Sequence, residues 1–155
     1  MRFSRSFFVA VLASACVCAG AAHAQGAPSK GEQALKYRKS LYQVMAWNFG
    51  PMGAMAQGKV PYDAAEFAKR ADRVTLIAPM LSEGFPAETR NLPHSELKPA
   101  MWTNRADFDA KMKDLVERSA TLAAVAKTGD SAKSKAAFFD TANTCKACHD
   151  KYKNE

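Results

Sequence analysis

Cysteine and histidine are scarce in this 155-residue chain, which contains four cysteines and three histidines. Cys16 and Cys18 lie in an N-terminal segment that reads as a secretion signal, so the mature chain keeps only Cys145 and Cys148 and has no further cysteine for a structural disulfide. A zinc site would need a second ligand pair, and only His94 is spare. No later apolar run is long enough to span a membrane, and no glycine-rich phosphate loop or nucleophile–base pair stands out. We therefore expect neither a membrane protein nor an enzyme.

The two remaining cysteines stand in the sequence Cys145-Lys146-Ala147-Cys148-His149. Cys-x-x-Cys-His is the attachment sequence of c-type haem, in which the thiols bond the porphyrin and the histidine binds the iron. A thiol–disulfide redox site is the alternative, but such pairs normally open a helix after a strand, whereas Cys145 lies deep in a helical pattern. We predict one covalent haem c per chain. A second axial ligand of the iron would have to come from upstream in the chain. Otherwise the sixth coordination position of the iron is vacant.

The first 24 residues predict a signal peptide. Arg2 and Arg5 precede the apolar run from Phe7 to Val17, and the sequence 22–24 (Ala-His-Ala) is typical of a cleavage site. A lipoprotein cysteine at Cys16 is the rival interpretation, although the residues before it match poorly. We expect residues 25–155 to form one exported domain in a bacterial periplasm.

Removal of this segment lowers the formal charge from +7 to about +5, because it contains Arg2 and Arg5 and no acidic residue. The lysines are scattered rather than gathered in one strip, which favours a solvated surface over a nucleic-acid interface.

Four periodic stretches predict four amphipathic helices with no strand between them. Gly50-Pro51 is expected to kink or break the first, and residues 52–60 to fray into a loop. Asp63 and Glu66 suit a capping box for the second, which stops near Pro79. The apolar stripes of these two helices are Leu35, Arg38, Tyr42, Met45, Phe49 and Met52, then Phe67, Ala71, Val74, Ile77 and Ala78.

A proline-rich connection without periodicity follows from Ser82 to Met101, and it is expected to pack against the haem edge. The third helix begins near Thr103 or Asn104 and ends at Gly129, and Asp130 or Ser131 caps the fourth. The stripes of this pair are Phe108, Met112, Leu115, Ser119, Leu122 and Ala126, then Phe138, Ala142, Cys145, His149 and Tyr152. The predicted fold is an all-α, antiparallel four-helix bundle with covalently bound haem.

Four segments of the chain resemble the cytochrome c′ family, the class II c-type cytochromes, over essentially the whole mature length. They are Tyr37 to Gly50, Pro61 to Ala65, Glu96 to Trp102, and Cys145 to Tyr152. The resemblance implies a periplasmic bundle, often a homodimer, with a five-coordinate high-spin iron and His149 as its ligand.

The resemblance also implies roles for single residues. Tyr42 matches the position that covers the vacant iron face, and Arg38 matches a basic residue near the propionates. Lys39 and Glu96 align with further haem contacts. Lys153 stands where many members have arginine, a departure that leaves its role near His149 open.

We expect a periplasmic protein that binds small gaseous ligands, nitric oxide in particular, because a crowded, donor-poor sixth site disfavours water and dioxygen. A periplasmic redox partner for one-electron transfer is a further expectation. The alternative is a low-spin, six-coordinate electron-transfer cytochrome with Met45 as second axial ligand. Outward apolar residues of helix one, such as Leu41, leave room for a homodimer interface.

Overall fold

The computed structural model describes residues 27–154, so the predicted signal peptide (1–24) lies outside the described residues. The chain forms the predicted all-α, antiparallel four-helix bundle. The helices are α1 (Lys30–Ala56), α2 (Ala64–Ile77), the single turn α3 (Ala100–Thr103), α4 (Arg105–Ala126) and α5 (Ser131–Tyr152). Between residues 27 and 154 the only extended pairing is an isolated antiparallel bridge of Leu97 with Lys153. No helix in this range combines the length and apolar character that a bilayer-crossing segment needs.

Polar side chains cap three of the long helices at their N-termini. Ser29 Oγ accepts from the Glu32 backbone N–H at 3.2 Å, and Glu32 Oε2 accepts from the Ser29 N–H at 2.7 Å, which completes a capping box. Asp63 Oδ1 accepts from the Glu66 N–H at 2.9 Å. Asp130 Oδ1 accepts from the Lys133 N–H at 3.0 Å, so the aspartate caps α5.

The predicted break at Gly50-Pro51 is wrong, because α1 continues through Pro51 to Ala56. Proline disfavours a helical residue before it partly through a clash with that residue's Cβ, and Gly50 has none. Pro51 also has no N–H to donate to the Trp47 carbonyl one turn earlier. Arg70 of α2 replaces it, since its Nη1 donates to that carbonyl at 2.9 Å.

The predicted stripes of α2 and α4 form the core, together with part of the stripes of α1 and α5. Every stripe residue of α2 and α4 is buried, together with Met45 and Met52 of α1 and Phe138 and Tyr152 of α5. Phe138 stacks on Phe49 with ring centroids 4.3 Å apart, which joins α1 to α5. The hydrophobic effect and close packing of these faces therefore hold the four helices together.

The long connection between α2 and α4 is more regular than its sequence suggests. It contains 3₁₀ helices at Ala78–Gly84 and Ala87–Thr89 before the turn α3. Leu81, Phe85 and Met101 bury their side chains in the bundle core. Backbone hydrogen bonds to Tyr152 and Asn154 place the connection against the end of the bundle that also holds the Cys-x-x-Cys-His sequence.

Candidate haem-binding site

The last two turns of α5 carry the predicted attachment residues. Cys145 and Cys148 are free thiols, half-buried and packed against the core. Burial raises the pKa of both thiols, so they are protonated at neutral pH. His149 lies beside them at the exposed edge of the same turn rather than inside the bundle. Partial burial lowers the pKa of His149, and the positive charge of Lys153 acts in the same direction, which favours the neutral imidazole that a metal requires.

Tyr42 of α1 is half-buried next to the two thiols. Burial raises the pKa of Tyr42 well above its usual value, and the nearby Cys148 adds to the effect. The side chain is therefore a neutral phenol at physiological pH. Met45, one turn further along α1, is buried in the core.

Arg38 is the most enclosed charged group of this region, with 3% of its surface exposed. Its Nη1 donates to the Gly84 carbonyl at 3.2 Å, and its Nη2 donates to the Ser95 carbonyl at 3.0 Å. The guanidinium also lies over the Phe85 ring, 4.7 Å from its centroid. Burial lowers the pKa of Arg38, because no carboxylate is bonded to it to offset the desolvation. Arg38 thus ties the connection to α1 and leaves a buried cation that could receive an anionic group.

Lys39 and Glu96 are brought together at the surface. Glu96 lies between two ammonium groups, 4.0 Å from Lys39 Nζ and 3.9 Å from Lys153 Nζ. These exposed pairs contribute little stability. Glu96 also has a positive φ of 57°, a conformation that non-glycine residues rarely adopt. Lys153 therefore faces this carboxylate as well as His149.

Two backbone hydrogen bonds fasten the connection to the end of α5. The Lys98 N–H donates to the Tyr152 carbonyl at 2.8 Å, and the Asn154 N–H donates to the Glu96 carbonyl at 3.0 Å. Sequence reasoning missed this contact, because no local pattern signals the pairing of two short segments more than 50 residues apart. It places the connection directly beside the attachment turn.

The chemistry of these donors fits haem c. The thiols lie one turn apart and are available for thioether bonds, and a neutral imidazole adjoins them for the iron. The phenol of Tyr42 lies on the neighbouring helix, and Arg38 offers a buried cation for a carboxylate. Within residues 27–154 no group of three or more Cys, His, Asp and Glu side chains is arranged to hold a metal ion by itself.

Comparison with known proteins points to one family. A family model described as cytochrome C′ matches residues 33–153. Cytochrome c′ of Rubrivivax gelatinosus is 37% identical over 126 residues, which cover 81% of this chain and 98% of the relative. The structure of cytochrome c prime from Shewanella frigidimarina matches with a TM-score of 0.78 and 40% identity, over 83% of this chain and 100% of that one. A nitric oxide complex of a cytochrome c prime variant from Alcaligenes xylosoxidans matches with a TM-score of 0.74 and 33% identity, over 82% of this chain and 98% of that one.

Proposed function

The chain belongs to the cytochrome c′ family, and its cofactor is covalently bound haem c; we propose that it binds small gaseous ligands, nitric oxide in particular, at a five-coordinate high-spin iron. In this proposal Cys145 and Cys148 form the thioethers and His149 is the single protein ligand. Residues 1–24 direct export to the periplasm. The proposed role is ligand binding with reversible one-electron transfer to a periplasmic partner, without catalytic turnover.

The observation that carries the proposal is the neutral, half-buried phenol of Tyr42 beside the attachment thiols. Ferrous haem supplies one open coordination position to a diatomic gas when its sixth ligand is absent. A phenol with a raised pKa is a poor metal ligand at neutral pH, so Tyr42 would limit access to that position by its bulk rather than bind the iron. The nitric oxide complex of the Alcaligenes relative supports the choice of ligand.

The remaining site residues are assigned supporting roles. Arg38 holds a propionate by charge, since a buried guanidinium is stabilised by a carboxylate partner. Lys39 and Glu96 flank the haem edge as an exposed ion pair. Lys39 and Glu96 would help to hold the haem edge, and His149 would supply the nitrogen ligand of the iron.

Replacement of Tyr42 tests the gating role. We expect Tyr42→Ala to speed association of carbon monoxide and nitric oxide by about tenfold or more, since removing about 1.4 kcal/mol of steric barrier gives that factor. Tyr42→Phe is the matched control, because it keeps the ring and removes only the hydroxyl, and we expect its rates to stay near those of the wild type.

Stopped-flow and flash-photolysis rates decide the outcome. Unchanged rates in Tyr42→Ala would contradict gating by the ring. A large change of the rates in Tyr42→Phe would show that the hydroxyl, and not the bulk of the side chain, controls ligand association.

We also propose that the protein is a homodimer built on α1 and α2. Leu41 is partly buried against the core rather than free for an interface. The exposed apolar side chains are instead Val44 and Trp47 of α1 and Leu76 of α2, with Trp47 74% and Leu76 71% exposed. Large apolar side chains left in water on neighbouring helices are typical of a helix-to-helix interface.

A further inference from the structure

Tyr152 joins the last turn of the haem-bearing helix to the first turn of α4. It lies three residues after His149 and is only 1% exposed. Its hydroxyl donates a hydrogen bond to Asp107 Oδ2, and its ring meets the Phe108 ring edge-on with centroids 5.7 Å apart. One side chain thus attaches α5 to α4 by a polar and an apolar contact.

Asp107 receives two donors from this turn. Lys151 Nζ donates to the same Oδ2 at 3.0 Å. The Tyr152 hydroxyl, followed by the Lys151 ammonium, lowers the pKa of Asp107 below its usual value. The carboxylate is therefore ionised at neutral pH, and hydrogen bonds to an ionised acceptor are shorter and stronger than neutral ones.

The His149 side chain lies at the edge of α5, on the turn that follows Cys148. Ligating histidines are commonly fixed by a partner on the second ring nitrogen. The backbone of the His149 turn is held within α5, where the Lys153 N–H donates to the His149 carbonyl at 3.0 Å. Tyr152 occupies that turn.

We infer that Tyr152 is a positioning residue for His149, which acts through its hydrogen bond to Asp107 to hold the ligating turn of α5 against α4. The inference rests on the proposed function, since it assigns a role toward the iron ligand. Asp107 of α4, which lies 42 positions before His149 in the chain, would then control the rigidity of the iron–imidazole bond.

The variant Tyr152→Phe removes the hydroxyl and keeps the ring against Phe108. The Tyr152 carbonyl still accepts from Lys98 at 2.8 Å, so the turn stays attached to the connection and the protein should fold. Tyr37→Phe is the matched control. It also removes a tyrosine hydroxyl that donates to a carboxylate, that of Glu83 at 2.9 Å, but Tyr37 lies on α1 and not on the helix that carries His149.

Resonance Raman spectroscopy of the ferrous holoprotein measures the iron–histidine stretching band directly. We expect this band to shift and broaden in Tyr152→Phe and in Asp107→Asn, to change no further in the double variant, and to stay unchanged in Tyr37→Phe. Hydrogen exchange of the backbone amides of residues 149–154 should quicken by about tenfold in Tyr152→Phe.

Two results separate the possible failures. A band identical to the wild type in Tyr152→Phe, even with a lower melting temperature, would reduce Tyr152 to a structural role and overturn the inference. A wild-type protein without an iron–histidine band would contradict the proposed function, and the inference would fall with it.

Discussion

At the scale of single residues, the Trp47 carbonyl of α1 has lost its backbone hydrogen-bond donor. Its usual donor would be the N–H of residue 51, which proline lacks. Arg70 donates to it from α2 at 2.9 Å and also forms an ion pair with Glu66 at 2.8 Å. One side chain thus repairs a defect in the neighbouring helix and fixes α2 against it.

A double-mutant cycle tests this repair. We expect Arg70→Met to lower the free energy of unfolding by about 1 kcal/mol, because the carbonyl loses its donor. In a Pro51→Ala background the cost should be smaller, since the new N–H of residue 51 supplies that donor. Urea unfolding of the holoprotein measures both values.

Arg73→Met is the control, because Arg73 is exposed on the same helix. An equal cost of Arg70→Met in both backgrounds would contradict the repair.

Short motifs and single positions predict most of the proposed site from the sequence. Cys145, Cys148 and His149 are recognised from their spacing alone, and Tyr42 follows from its place in a family segment. The contacts of Arg38 with Ser95 and of Tyr152 with Asp107 could not be predicted. They join residues more than 40 positions apart, and their geometry exists only after the connection has packed.

At the scale of helices, periodicity predicted which faces are buried but not where every helix ends. The apolar seam of α4 and the stripe of α2 are buried at every predicted position. The end of α1 depends on Gly50 and on a donor from another helix, neither of which is visible in a periodic pattern. Tertiary contacts decided that boundary.

The cap of α5 gives a pH-dependent prediction. The hydrogen bond from the Lys133 N–H lowers the pKa of Asp130 below its usual 3.8. A depressed folded-state pKa gives stability that is fully present above the unfolded value and is lost as the pH falls through the folded value. Asp130→Ala should therefore lower the melting temperature at neutral pH, and the gap to the wild type should close as the pH falls below 3.8.

Thermal unfolding followed at several pH values provides the measurement. Asp140→Ala, which removes an exposed carboxylate from the middle of the same helix, is the control and should show no such gap. A gap in Asp130→Ala that persists undiminished in acid would argue against the capping role.

At the scale of the whole molecule, the proposed dimer depends on an apolar surface on α1 and α2. We expect sedimentation equilibrium to show a dimer for the wild-type holoprotein and a monomer for Trp47→Glu, because a carboxylate at the centre of the interface would be desolvated. The visible spectrum should not change, since Trp47 is 74% exposed to solvent and is not a residue of the proposed site.

Phe139→Glu serves as the matched control, because Phe139 is an exposed aromatic residue of α5, 43% accessible, outside the proposed interface. Dissociation by Phe139→Glu and not by Trp47→Glu would place the interface on α5 instead.

The central claim is a haem anchored at Cys145 and Cys148 whose iron has His149 as its sole protein ligand. Electron paramagnetic resonance of the purified ferric holoprotein tests this claim most directly, because spin state reports coordination number. The account predicts a high-spin signal. A low-spin signal, accompanied by a near-infrared methionine–iron band that disappears in Met45→Leu, would contradict it and identify Met45 as the second axial ligand.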